Sequence, residues 1–220
     1  MSWKQAFSSS VGKKIQMSLT GIFLILFLIV HCYINAQIWF GEDAFLTAAH
    51  FMGTNVIIRT IEIGLFAFLI LHIVQGLSLW AKNSKRRNTR YAVKAGSQTS
   101  PWYRRSMGLL GTLILLFLII HLSKFWGPNR FAQTFGSGEL NLYELMKEEF
   151  QNMVIVVIYL LGCIALAWHL VHGVYSSMQT LGLTTHRYKT MIKNVGVAFS
   201  IIVTVIFALM PISFYMHWVN

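Results

Sequence analysis

Five stretches of the chain are almost free of polar residues, and each is long enough to cross a bilayer. They cover residues 17–40, 57–81, 106–126, 150–179 and 194–218, the first without a formal charge and the second broken only by Arg59 and Glu62 near its start. A spanning helix needs about 20 mostly apolar residues. Helices rather than barrel strands are expected, because a helix satisfies its own backbone where water is absent and the alternation of barrel strands is missing. The spans use most of the length, so residues 1–220 read as one all-α transmembrane domain. The first run is too long for a signal h-region of about 7–15 residues and lacks a small-residue cleavage site, so it reads as a span. A further short amphipathic helix is expected around residues 140–150, lying along the outer surface.

Composition agrees with the pattern: 55% of residues are apolar and only 11% charged, against about a quarter charged in soluble domains. The formal charge of +11 would suggest nucleic acid in a soluble protein. Here the basic residues sit in short segments between spans, where they orient a membrane protein instead. Lys4, Lys13 and Lys14 precede the first span, the stretch from 82 to 105 follows the second, and Arg187, Lys189 and Lys193 follow the fourth. Those segments are placed on the cytoplasmic side, which puts the N-terminus inside and the C-terminus outside. The basic 82–105 loop also attracts anionic headgroups and offers a docking surface to an acidic partner. Cys32 and Cys163 fall inside apolar runs and read as reduced thiols.

The chain repeats itself. Gly21 and His31 in the first span stand at the same spacing as Gly111 and His121 in the third; Leu71-His72-Ile-Val-Gln-Gly76 in the second answers Trp168-His169-Leu-Val-His-Gly173 in the fourth. Spans one and two thus look like a hairpin repeated as three and four. At 1.5 Å per residue, His31 and His121 lie roughly 21–22 Å from the cytoplasmic ends of their helices, and His72 and His169 roughly 14 Å. Two bis-histidine sites follow: His72 with His169 nearer the cytoplasm, His31 with His121 nearer the outside, imidazoles of antiparallel neighbours meeting at equal height.

Low-spin haem iron takes two neutral imidazoles on opposite faces of a flat ring, and a helix bundle presents side chains from opposing walls. Gly76 and Gly173, four residues after His72 and His169, are expected to leave room for the ring edge. A lone membrane histidine often does no more than hydrogen-bond a neighbouring helix; four at two matched depths argue for two haems b. Zinc suits the set poorly, since no acidic or thiol partner lies at those depths. The rival of a different class is a haem-free transporter using intramembrane histidines. His172, one turn from His169, has a propionate or quinone contact as one reading and an interfacial histidine as the other. His186 and His217 read as exposed or interfacial. His50, Asp43, Arg59 and Glu62 form a polar cluster at the outer interface, where ionisable residues are functional candidates.

Taken together, Ser18-Leu-Thr-Gly21, His31, Ala48-Ala-His-Phe-Met52, His72, His121 and His169-x-x-x-Gly173 resemble the single-chain, di-haem cytochrome b subunit of succinate:quinone oxidoreductases, the group of succinate dehydrogenases and quinol:fumarate reductases. The resemblance covers nearly the whole length. It implies a multi-pass subunit of the bacterial cytoplasmic membrane with His31, His72, His121 and His169 as haem ligands. It also implies a flavoprotein with FAD and an iron–sulfur protein docked on the cytoplasmic face, and a quinone, commonly menaquinone. Ser18 matches a position that contacts a haem propionate in relatives, although Met17 replaces the Gln found beside it in some. Succinate chemistry then belongs to another subunit, and His50, Glu62 and Asp43 are the candidates for handling quinone protons at the outer side. Haem anchors of hydrogenase or formate dehydrogenase type share the spectrum and differ in partners.

Overall fold

A computed structural model describes residues 9–85, 102–136 and 138–219. Among them the structure is helical, without a strand, and five helices are long and apolar enough to cross a membrane. Most of the expected basic loop, residues 86–101, lies outside the described residues, as does Lys4.

The first long helix, α1 (Ser10–Ala36), starts where the Ser9 side chain accepts from the Gly12 N–H at 3.0 Å, a serine N-cap satisfying one orphan donor. It passes into a 3-10 turn (Gln37–Phe40) that stops at Gly41, whose φ of 110° favours glycine. Then come α2 (Glu42–Thr54), α3 (Val56–Lys85), the short α4 (Trp102–Arg105) and α5 (Met107–His121). A five-residue π-helical turn, Leu122–Trp126, follows α5 directly and runs on into α6 (Gly127–Phe135). Three further helices complete the described chain: α7 (Leu142–Glu149), α8 (Met153–Thr180) and α9 (Lys189–Tyr215). Asn141 and Asn152 cap α7 and α8, their side chains accepting from Tyr143, Glu144 and Val154 N–H groups.

All five expected spans are present, with different ends. Residues 10–16 and 82–85 are helical as well as apolar runs one and two, because polar residues at the interface continue a helix once its apolar part is fixed in the bilayer. The outer segments hold more helix than expected. The helix placed around residues 140–150 is α7, whereas α2 and α6 carry no long apolar run that would have announced them.

The packing of the long helices makes a closed ring. Helix α1 packs on α3, α3 on α5, α5 on α8 and α8 back on α1, while α9 lies outside against α8 and α1. The four spanning helices that carry histidines are the four of that ring. At the end of the ring capped by α2 and α7, Ile38, Phe45, Tyr143, Phe150, Tyr159 and Phe214 form a buried aromatic and aliphatic cluster that ties α2, α7, α8 and α9 together. Large apolar side chains such as Leu26, Ile63, Leu116, Leu161 and Ile202 face outward, as they do where lipid is the solvent.

Candidate functional site

Two pairs of imidazoles meet inside the ring. His31 and His121 lie with ring centres 5.8 Å apart, and His72 and His169 6.3 Å apart, both edge to face. The pairing is the one expected from depth. The helices involved are not the antiparallel neighbours expected: α1 and α5 follow alternate crossings of the bilayer, as do α3 and α8, and neither couple is among the packed helix pairs. Each pair therefore spans a diagonal of the ring, from parallel helices on opposite corners. Consecutive helices occupy adjacent corners, so only every second one can face its partner.

The levels are further apart than counting from span ends suggested. Thr20 and Gly21 of α1 touch His72, and His31 comes ten residues after Gly21, a rise of about 15 Å. Counting gave less because α1 begins at Ser10 and α3 extends to Lys85.

At the inner level, Thr20 is buried and its Oγ1 lies 3.2 Å from His72 Nδ1. The glycines of the repeat, Gly21 and Gly111, face the inner imidazoles: a Cβ on Gly21 would lie 3.6 Å from His72 Cε1, and one on Gly111 3.9 Å from His169 Cε1. Of the glycines expected to leave room for a ring, Gly173 fronts open space, and a Cβ on Gly76 would lie 3.4 Å from the Met17 methyl. Ser18 is buried one residue beyond Met17. His169 Nδ1 is a buried polar atom with no hydrogen bond among the described residues. His172 lies one turn further along α8.

At the outer level, Asn35 Nδ2 lies 3.3 Å from His31 Nδ1, and Tyr159 OH 3.2 Å from His121 Nδ1. Phe27 stacks on His31 at 5.2 Å and 22°, and Phe117 on His121 at 5.7 Å and 24°. Both phenylalanines occupy the same place in the repeat, four residues before the histidine. That coincidence was the signal for them, hidden among the aliphatic matches. Thr20, Asn35 and Tyr159 had no such signal.

The geometry suits a metal held between two imidazoles. With metal–nitrogen bonds of about 2.0 Å, two such rings on opposite sides of one ion have centres roughly 6 Å apart, close to both separations observed. Among the described residues no group of three or more His, Cys, Asp or Glu side chains comes together to hold a bare ion; each level offers two nitrogens, the number a haem takes from protein.

The outer polar cluster is also assembled, through residues not anticipated. Glu62 accepts from Arg59 at 2.8 Å, from Arg130 Nη2 at 2.8 Å to both oxygens, and from Trp126 Nε1 at 2.6 Å. Arg130 donates to Gln133 at 2.6 Å, Gln133 to Glu139 at 2.9 Å, and Glu139 meets His50 Nδ1 at 2.6 Å. His50 and Glu62 thus share one hydrogen-bonded chain, while Asp43 stands exposed in the first turn of α2. Beside His50 and Glu139, with Leu46, Ala49, Asn129 and Leu142 among its walls, is a cavity of about 320 Å3.

The chain is similar to the succinate dehydrogenase cytochrome b558 subunit of Bacillus subtilis (strain 168), with 28% identity over 169 residues, 76% of this chain and 78% of that protein. No family profile matches it. No solved structure matches it.

Proposed function

We propose that this chain is the membrane-anchor cytochrome b subunit of a succinate:quinone oxidoreductase, the family to which its histidine motifs and its similarity to the Bacillus subtilis subunit both lead. It is a multi-pass protein of the bacterial cytoplasmic membrane. The observation that carries the reading is the pair of imidazole couples across the diagonals of one helix ring, at separations of 5.8 and 6.3 Å.

His31 with His121, and His72 with His169, would hold two haems b, one at each level. When bound, these supply one-electron transfer between the iron–sulfur clusters of a partner subunit and a membrane quinone. The rest of the work is the chain's own. Phe27 and Phe117 hold the outer imidazoles by stacking, and Thr20, Asn35 and Tyr159 meet Nδ1 of His72, His31 and His121, contacts that would orient a ligand and tune its basicity. Outward-facing aliphatic side chains keep water from both levels. Gly173 leaves space beside the inner pair, and Ser18 and His172 lie within a turn of it, where propionates need polar partners.

At the outer side the cavity beside His50 is the quinone site, menaquinone being the expected species. A headgroup of that size fits a pocket of about 320 Å3, near the lower end for small-molecule sites. His50 Nδ1 and Glu139 Oε2, 2.6 Å apart, hold one transferable proton between them. Glu62 accepts from two guanidiniums and an indole N–H; its part is to fix Arg130 and so the position of Glu139. Asp43 lies on the same helix as His50, exposed toward the outer solvent. The flavoprotein with FAD and the iron–sulfur protein dock on the cytoplasmic face, where succinate and fumarate interconvert on the partner.

The test is a dithionite-reduced spectrum with a haem-to-protein ratio, for the purified chain and for His31→Ala and His72→Ala. Two haems b per chain are expected, with each substitution removing one. A preparation without haem absorbance sinks the assignment, and an unchanged ratio in both variants rejects the ligands.

A further inference from the structure

We propose that Thr20 is a positioning residue for the inner histidine pair: its hydroxyl oxygen accepts from His72 Nδ1–H and thereby selects the imidazole tautomer whose Nε2 is a bare lone pair, ready for metal. The proposal rests on the haem reading above and goes beyond it, since the resemblance assigns ligands and not the group that sets their tautomer.

A threonine hydroxyl has one hydrogen and two lone pairs. In α1 the Thr20 O–H points back along its own helix, 2.9 Å from the Gln16 carbonyl and 3.1 Å from that of Met17, the usual back-bond of a helical threonine. Its only hydrogen is therefore committed to the backbone, and what it turns toward His72 Nδ1, 3.2 Å away, is a lone pair. Two lone pairs facing one another in a buried site repel. The stable arrangement has the proton on Nδ1, and a neutral imidazole has only one N–H, so Nε2 is left unprotonated. Thr20 is 2% exposed, so water does not compete for the same lone pair, and Gly21 beside it lets α1 approach to within 3.6 Å of His72 Cε1 as measured from an added Cβ.

The other three ligands lack this instruction. At His31 the neighbouring group is an amide nitrogen, Asn35 Nδ2, already donating to the His31 carbonyl at 2.8 Å. At His121 it is a phenol, which has both a hydrogen to donate and a lone pair to accept with. His169 Nδ1 has no hydrogen bond among the described residues. In the inner pair, then, one imidazole is locked and the other is free to follow the ring placed against it.

An acceptor at Nδ1–H makes the imidazole a stronger electron donor and favours the oxidised ion. Its loss should make the inner haem easier to reduce. The experiment is a potentiometric titration of the haem-loaded complex carrying Thr20→Val, Thr20→Ala or Thr20→Ser, with electron paramagnetic resonance of the oxidised state; the inner component is the one missing in His72→Ala. In Thr20→Val the ratio of reduced to oxidised inner haem at fixed potential is expected to rise about tenfold, or about 59 mV upward for one electron. The outer component stays in place, and Thr20→Ser returns the inner one to the wild-type position with its original g values. Should the valine variant fail to accumulate, Thr20→Ala, which removes the hydroxyl without adding bulk, takes its place in the comparison. An inner potential that does not move without the hydroxyl, or a serine variant displaced as far as the alanine one, overturns the proposal. Wild-type complex without haem overturns the ligand assignment as well, whereas a loaded complex with an unmoved potential overturns Thr20 alone.

Discussion

His31 and His121 stand 5.8 Å apart, ring centre to ring centre, although their helices occupy opposite corners of the ring, each packed on α3 and on α8. Their separation is set by the helices between them. Each imidazole is also backed by a phenylalanine one turn before it, so neither ring can swing away without displacing an aromatic neighbour.

Diagonal pairing has a consequence for double variants. On the proposed ligation the two histidines of one level would act as a unit, each needed to hold the same haem. We expect His31→Ala/His121→Ala to lose one haem per chain, like either single variant, and His31→Ala/His72→Ala to lose both. Haem-to-protein ratios of the purified variants decide it. Two haems lost from His31→Ala/His121→Ala would mean that the pairs are not the binding units.

The outer level should also respond to a substitution that touches no histidine. A Cβ on Gly162 of α8 would lie 2.6 Å from the Phe117 ring, the same ring that stacks on His121 and packs against Tyr159 at 5.0 Å. A rigid ring between two helices has nowhere to turn, and such overpacking costs about 1–3 kcal/mol. Gly162→Ala is expected to lower the thermal unfolding midpoint in detergent and to perturb the outer haem's spectrum while sparing the inner one. Gly64→Ala, on α3 and with nothing within 4 Å of its Cβ, is the control and should unfold no lower than the wild type.

Much of this arrangement was legible along the chain, and the part that was not has a physical reason. Depth in a membrane is nearly a linear coordinate, because each helical residue rises by a fixed amount; the pairing of His31 with His121 and of His72 with His169 followed from that alone. Which corner a helix occupies depends on packing with helices distant in sequence, so the diagonal was invisible. The same holds for partners at right angles to the helix axis. Thr20 meets His72 across 52 residues and His50 meets Glu139 across 89, and no spacing rule links them. Helices α2 and α6 were missed because they lie at the outer boundary, where a helix needs no long apolar run.

Glu62 offers a test of the outer network. Its carboxylate is the shared acceptor for Arg59, Arg130 and Trp126, and its side chain is 21% exposed. Glu62→Ala leaves two guanidiniums and an indole N–H without their partner, at a cost of about 1–3 kcal/mol. Glu62→Gln keeps one acceptor oxygen and should fall between. Both variants are expected to keep two haems, since the network lies beyond the outer imidazoles, and to slow quinone reduction by loosening Arg130 and with it Glu139. Wild-type stability in Glu62→Ala, measured by thermal unfolding in detergent, would show that the clasp contributes nothing.

Tyr143 predicts how the outer cap responds to alkali. It is 1% exposed between Phe45 and Phe214, and burial first, then the carboxylates of Glu42 and Glu144, push its phenol above the usual range. The sign follows from which form the fold prefers. The folded chain holds the phenol neutral, so the unfolded chain ionises first, beginning near the ordinary value of about 10. Stability from this group is therefore fully present below that pH and is lost as pH rises through it toward the folded value. Tyr143→Phe keeps the ring in the cluster and removes the proton. It should flatten the fall in thermal stability above about pH 10 while leaving the neutral-pH midpoint within about 1 kcal/mol of wild type. An alkaline profile identical to wild type would mean that the cap opens by a route that never exposes Tyr143 to hydroxide.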